Sequence, residues 1–225
     1  IGYQSMQNAN AAGFHRNTAV GYQTMANVGS NSADDNTALG YQALYSVTSG
    51  DDNVAIGSNA LRLATTAGDN ISIGHDSMAT RTSGSNNIAI GCDAQYNTKG
   101  STYNITIGNF AGYNLTTGGS SIFIGNGAGK ANKTGTGAIA IGYEAMGGTA
   151  GTEESSGQAI GHRSMFQAKD GSGGTAIGNS TFENLVGQNA VAIGSSAGRY
   201  ATGSYNTFVG ANAGVGGTTS APYSS

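Results

Sequence analysis

The sequence predicts an all-β chain wound as a parallel β-solenoid of about thirteen short coils, and three observations carry that prediction. A bulky aliphatic residue followed by glycine recurs at Ile1-Gly2, Val20-Gly21, Leu39-Gly40, Ile56-Gly57, Ile73-Gly74, Ile90-Gly91, Ile107-Gly108, Ile124-Gly125, Ile141-Gly142, Ile160-Gly161, Ile177-Gly178, Ile193-Gly194 and Val209-Gly210. Successive glycines lie 16 to 19 residues apart, most often 17, a spacing that suits one coil of a solenoid. Glycine supplies 39 of 225 residues and proline one, without the triplet register of collagen, and the regular aliphatic placement argues against disorder.

Each unit is read from its glycine. The residue before it is Ile, Val or Leu, and the third before it is often Val or Ile, as in Val54, Ile71, Ile88, Ile105, Ile122, Ile139 and Val191. A small residue sits between them in most copies (Ala55, Ser72, Ala89, Thr106, Ala140), with Phe123 and Phe208 as exceptions. This alternation is the two-residue period of a strand, bulky on one face and small on the other. The glycine supplies a bend or a positive φ. Three residues later the side chain is always small (Ala43, Ala60, Ser77, Ala94, Ala111), which implies close approach to another backbone. Met, Leu, Phe or Gly follows in every copy but the one carrying Gln95, and reads as a second, shorter strand returning across the coil. Segments such as Thr65-Thr66-Ala67-Gly68-Asp69 are turn chemistry that reverses the path.

Two polar positions share a phase with the repeat. Asn17, Asn36, Asn53, Asn70, Asn87, Asn104 and Asn206 lie four residues before the glycine, so consecutive coils would stack their amides into a hydrogen-bonded ladder. Asp35, Asp52 and Asp69 stand one place earlier, which would set three like charges on successive coils. Solvation on an exposed turn answers that repulsion, and a bound Ca²⁺ is the alternative, weakened by the absence of the nine-residue glycine-aspartate calcium repeat. No other cofactor is expected.

A coil of about 17 residues offers only about three sizeable apolar side chains, roughly 5 to 8 kcal/mol of burial against about 1.5 kcal/mol of ordering entropy per residue. Single coils are thinly supported, so association of several chains along a shared apolar stripe is expected. The repeats form one elongated domain over 1–215, followed by a Gly/Ser/Thr-rich tail at 216–225. The chain starts in mid-repeat, as a piece of a longer protein would.

A net charge of −3 with no lysine or arginine cluster gives no electrostatic footprint for nucleic acid. No apolar run approaches the ~18 residues of a membrane span. The single Cys92 excludes an intrachain disulfide framework.

The segments Asn36-Thr37-Ala38-Leu39-Gly40-Tyr41-Gln42-Ala43-Leu44 and Asn17-Thr18-Ala19-Val20-Gly21-Tyr22-Gln23-Thr24-Met25 resemble the repeats of phage tail fibres, and are similar to the head repeats of trimeric autotransporter adhesins. The likeness runs from Ile1 to about Val215. It implies a left-handed β-roll type of solenoid, a homotrimeric fibre, a place on a virion tail or an extracellular cell surface, and attachment to a host-surface glycan or protein. The 17-residue period favours the fibre group over the adhesin heads, whose unit is shorter.

The remaining candidate chemistry has bland readings. His75 and His162 occupy one repeat position five coils apart, too far to share a metal within a chain. Gly125-Asn126-Gly127-Ala128-Gly129-Lys130 lacks the spacing and the following Ser or Thr of a phosphate loop. Glu153-Glu154 is a pair typical of a solvated loop, and no catalytic residue is expected; a polysaccharide-degrading tailspike would need two carboxylates across a cleft. An ice-binding solenoid would need a sustained Thr-x-Thr face, which Thr106, Thr116 and Thr117 do not supply. Tyr3, Tyr22, Tyr41 and Tyr143 after the glycines, with Tyr45, Tyr96, Tyr103, Tyr113, Tyr200 and Tyr205 near the turns, are the plausible contact groups for sugar or protein.

Overall fold

The computed structural model describes residues 1–8, 14–28, 33–148, 156–168 and 173–215. Its regular structure is one three-residue strand per repeat and no helix among the described residues. The chain divides into two units, Ile1–Phe110 and Ala111–Ser225. The first holds β1 (Thr18–Val20), β2 (Thr37–Leu39), β3 (Val54–Ile56), β4 (Ile71–Ile73), β5 (Ile88–Ile90) and β6 (Ile105–Ile107). The second holds β7 (Ile122–Ile124), β8 (Ile139–Ile141), β9 (Gln158–Ile160), β10 (Thr175–Ile177), β11 (Val191–Ile193) and β12 (Thr207–Val209).

Within each unit the strands lie in chain order, every one parallel to its neighbour and matched position for position. Val54 pairs with Ile71, Ala55 with Ser72 and Ile56 with Ile73, so the repeat is a rung of a parallel β-solenoid. The first copy, Ile1-Gly2, forms no strand, but its Ile1 carbonyl accepts the Gly21 N–H and so continues the ladder.

The small middle residue of each strand points inward. Ala38, Ala55, Ser72, Ala89 and Thr106 in the first unit, and Ala140, Ala159, Ala176 and Ala192 in the second, are fully buried. Their bulky neighbours face out. Inside the first unit the small residues meet Met25, Leu44, Leu61 and Met78 with Val47 and Ala64; inside the second the core is Leu115, Phe123, Met165, Phe182 and Leu185.

Phe123 fills an inward seat that alanine holds elsewhere, and its chain compensates. A Cβ on Gly129 would come within 2.5 Å of the Phe123 ring, so glycine replaces the usual Met or Leu four residues after Gly125. Phe208 and Gly214 repeat the exchange. Volume is conserved across the coil, as close packing requires.

The repeat glycines have φ between +118° and +139°, a region side chains avoid, and an added Cβ on Gly57 would sit 2.5 Å from the Gly74 carbonyl oxygen. The bend is therefore glycine-only on two independent grounds. Beyond it the second strand read from the Met/Leu position is not formed. Residues two and four places on, such as Gln42 (φ 51°) and Leu44 (φ 50°), are left-handed, which curls the segment into a turn. Coil-to-coil hydrogen bonding persists there nonetheless, as from Leu44 N–H to the Ala60 carbonyl and from Leu61 N–H to the Ser77 carbonyl.

Candidate interaction surface

Three columns of side chains define what the coils show to their surroundings and what locks them together. The first is apolar. The strand residues flanking the small one stand outward at every rung, and Leu39, Ile71 and Ile107 in the first unit and Ile141, Ile160, Ile177 and Ile193 in the second remain 36 to 47% exposed. The glycine-side column is aliphatic in every strand and the other is aliphatic in most, with Thr18, Thr37, Gln158, Thr175 and Thr207 as exceptions; a face of this kind is more apolar than scattered surface leucines and suits association.

The second column is the asparagine ladder, which the structure forms in the first unit from Asn17 to Asn104. Asn53 Nδ2 donates to Asn36 Oδ1 at 3.0 Å and to the Ala67 carbonyl at 2.7 Å, while its Oδ1 accepts the Asn70 N–H and Nδ2, each at 3.1 Å. Asn70, Asn87 and Asn104 repeat the pattern, and Asn36 through Asn104 are fully buried. In the second unit Ser121 takes the seat and its hydroxyl still accepts the Ala138 N–H at 3.2 Å. These amides therefore fasten coils from within and are closed to a ligand.

The aspartates Asp35, Asp52 and Asp69 occupy a left-handed turn position with φ of 58°, 57° and 55°. Asn86, Ser120 and Asn189 stand in the same conformation in other coils, and so do Arg16, Tyr103 and Tyr205 (φ 56°, 60° and 65°), so the coil imposes the left-handed turn and Asp or Asn only suits it better. Asp35 is bound by Arg16, whose Nε and Nη2 donate to its two oxygens at 2.6 Å each, and that bond holds its carboxyl below the usual range. The neighbouring column ties the turns of successive coils, since Asp34 Oδ1 accepts the His15 N–H and Asp51 Oδ1 accepts the Asp34 N–H. Among the described residues no group of three or more His, Cys, Asp or Glu is arranged to hold a metal.

The third column follows the glycine bend. Tyr3, Tyr22 and Tyr41 stack in sequence with ring centroids 5.3 Å apart and remain exposed. Beside them Gln23 Nε2 donates to Gln4 Oε1 and Gln42 Nε2 to Gln23 Oε1, a parallel ladder of amides that the repeat spacing did not advertise because only three coils carry glutamine there. Further along the column His75 Nδ1 lies 3.9 Å from Cys92 Sγ, and burial with the adjacent Asp93 carboxylate pushes that thiol upward in pKa. In the second unit His162 stacks on Tyr143. The two histidines thus serve different neighbours.

Two polar clusters escaped sequence reasoning. Glu183, nearly buried, accepts from Arg199 Nε at 2.7 Å and pairs with Arg163 Nη2 at 3.2 Å, while Arg163 also lies over the Phe166 ring. Arg81 is fully buried, where other coils place Val47, Ala64 or Leu115, and has no carboxylate partner among the described residues. Its guanidinium donates to the Ser101 carbonyl and hydroxyl at 3.2 Å, its Nε and the Gln95 Oε1 find no partner, and burial pushes its pKa down to about 10. Gln95, the exception noted in the repeat, shares the Ser101 hydroxyl with it. The Glu153-Glu154 pair and the 216–225 tail lie outside the described residues.

No helix among the described residues is long and apolar enough to cross a membrane. The chain matches no protein-family model, no curated protein and no solved structure.

Proposed function

We propose that this chain is a non-enzymatic fibre module, of the kind found in phage tail fibres, whose copies associate as a homotrimer through the aliphatic outer face and present their corners and turns for attachment to a host cell. The single observation behind this reading is the pair of outward aliphatic columns. In the single chain Leu39, Ile160, Ile177 and Ile193 leave about two fifths or more of their surface open to water, and association along the column would cover it.

In the second unit Ile141, Ile160, Ile177 and Ile193 are each about two fifths exposed, and covering that part would contribute about 0.6 to 1.2 kcal/mol per side chain. These four rungs then supply roughly 2 to 5 kcal/mol, which reaches the lower end of the roughly 4 to 15 kcal/mol that association costs. The second column and the other unit add to it. A trimeric adhesin head on a bacterial surface rests on the same face and is the alternative reading.

Sedimentation equilibrium of the whole chain tests the association. The expected species is three chains, and an Ile56→Lys/Ile90→Lys double variant, which changes outward side chains only, is expected to sediment as a folded monomer because burying unpaired like charges along one face is unfavourable. A wild-type monomer at micromolar concentration would remove the proposal.

A further inference from the structure

The tyrosine and glutamine ladders of the first unit stop at the same coil. Tyr41 is the last ring of its stack, because the next place in the column belongs to Ser58, whose hydroxymethyl group cannot cover a ring face as a fourth tyrosine would. Gln42 is the last amide of its ladder. Asn59, next in that column, turns its Nδ2 away to Asp76 Oδ1 at 2.9 Å, leaving Gln42 Oε1 outside the amide chain.

The result is a notch one coil high. Its floor is the face of Tyr41 that no ring covers, with Gln42 the next residue of the same coil and Ser58 and Asn59 at the matching positions of the next one. Ring and amides are held before any partner arrives, since both belong to ladders, so little ordering entropy is left to lose on binding. Tyr3, Gln4, Tyr22, Gln23, Tyr41, Gln42, Ser58 and Asn59 carry no charge, which disfavours a strongly ionic partner. A pyranose ring has the complementary make-up: an apolar C–H face and a rim of hydroxyls that both donate and accept.

The geometry points to this notch as a subsite for a neutral sugar, with the Tyr41 face receiving the pyranose and Gln42 and Ser58 bonding its hydroxyls. This rests on the attachment reading above and gives it a location. Tyr41 follows the Gly40 bend and lies outside β2, whereas the aliphatic columns lie on the strands, so self-association and sugar binding draw on different residues.

The test titrates the whole chain with maltohexaose, cellohexaose and chitohexaose by calorimetry, with sedimentation run in parallel. At least one probe is expected to bind, Tyr41→Ala to weaken it about two- to tenfold, and Lys99→Ala, at an exposed turn further along the same unit, to leave it unchanged. Ser58→Tyr is the sharper variant. It places a residue native to this seat in other coils, extends the stack and closes the notch, so the fold persists and sugar binding is lost. Wild-type chain binding none of the probes, or Ser58→Tyr binding them undiminished, overturns the subsite. A Ser58→Tyr variant that alters only the sedimenting species would overturn it too, by assigning the notch to a second copy of the chain. The fibre reading fails separately, by a wild-type monomer, whatever the titrations show.

Discussion

Asn53→Ala is the most exposing test of how the coils are held. The substitution removes three donated bonds, to Asn36 Oδ1, the Asp51 carbonyl and the Ala67 carbonyl, and two accepted ones, from the Asn70 N–H and Nδ2. Some groups recover: the Asp51 carbonyl keeps the Asp69 N–H, and Asn36 Oδ1 keeps the Asn53 N–H. The Asn70 N–H and the Ala67 carbonyl do not. Two orphaned backbone groups at about 1 to 3 kcal/mol each, with about 1 kcal/mol for the other lost bonds together, give a loss of roughly 3 to 7 kcal/mol. That is a large share of the total stability of an ordinary domain, about 5 to 15 kcal/mol. In a stack whose coils lean on their neighbours the loss concentrates at one interface. Hydrogen exchange is therefore the right assay, read at the Asn70 and Val54 amides, with guanidinium unfolding alongside. Asn53→Ser is the paired variant. Serine already holds this seat at Ser121 and accepts the backbone N–H above it, so it should recover about half of the loss. An alanine variant that unfolds within ~1 kcal/mol of wild type, with unchanged exchange at Asn70, would refute the claim that the ladder fastens the coils.

Two further outcomes follow from the same interior. Gly57→Ala drives a Cβ to 2.5 Å from the Gly74 carbonyl oxygen at φ 131°, so strain and overpacking of about 1 to 3 kcal/mol each should lower the thermal midpoint, as circular dichroism would record. Arg81→Leu should stabilise by about 1 to 4 kcal/mol in guanidinium unfolding, because every acceptor of Arg81 keeps another donor: the Ser101 carbonyl takes Asn87 Nδ2, the Ser101 hydroxyl takes Gln95 Nε2 and Asn70 Oδ1 takes the Asn87 N–H. A destabilised leucine variant would mean that these neutral acceptors compensate the buried charge more fully than their number suggests.

Much of this architecture was legible because the repeat turns three-dimensional neighbours into a fixed sequence offset. The strand, the glycine bend, the small inward residue and the asparagine ladder all follow from that offset. The left-handed turn after the glycine was not legible. Met25, Leu44 and Leu61 look like strand residues, yet each adopts φ near +50°, a conformation disfavoured for bulky side chains and imposed here by the packing of the coil. The direction of the strand faces was also hidden, since Ala55 between Val54 and Ile56 suits either sense; burial decided it, with alanine inside. The Tyr41 notch depends on where two ladders end, and an ending has no period to find.

The exceptions to the repeat carry the most information about function for that reason. Phe123 is matched by Gly129 and so explains itself within one coil. Among the outward aliphatics Leu39, Ile160, Ile177 and Ile193 stay about two fifths or more open to water, although polar residues would fit one of the two seats: Thr18 and Thr37 take it in β1 and β2, and Gln158 in β9. The column nearest the glycine admits no such replacement in any strand, running Val20, Leu39, Ile56, Ile73, Ile90 and Ile107 in the first unit and Ile124, Ile141, Ile160, Ile177, Ile193 and Val209 in the second. If one column tolerates threonine and the other never does, the two are not equivalent in the proposed fibre: the glycine-side column is expected at the centre of the contact and the other at its rim. Lysine at Ile90 should then disrupt association far more than lysine at Ile88, two residues away on the same strand face, and equal effects from the two in sedimentation would leave the contact centred elsewhere.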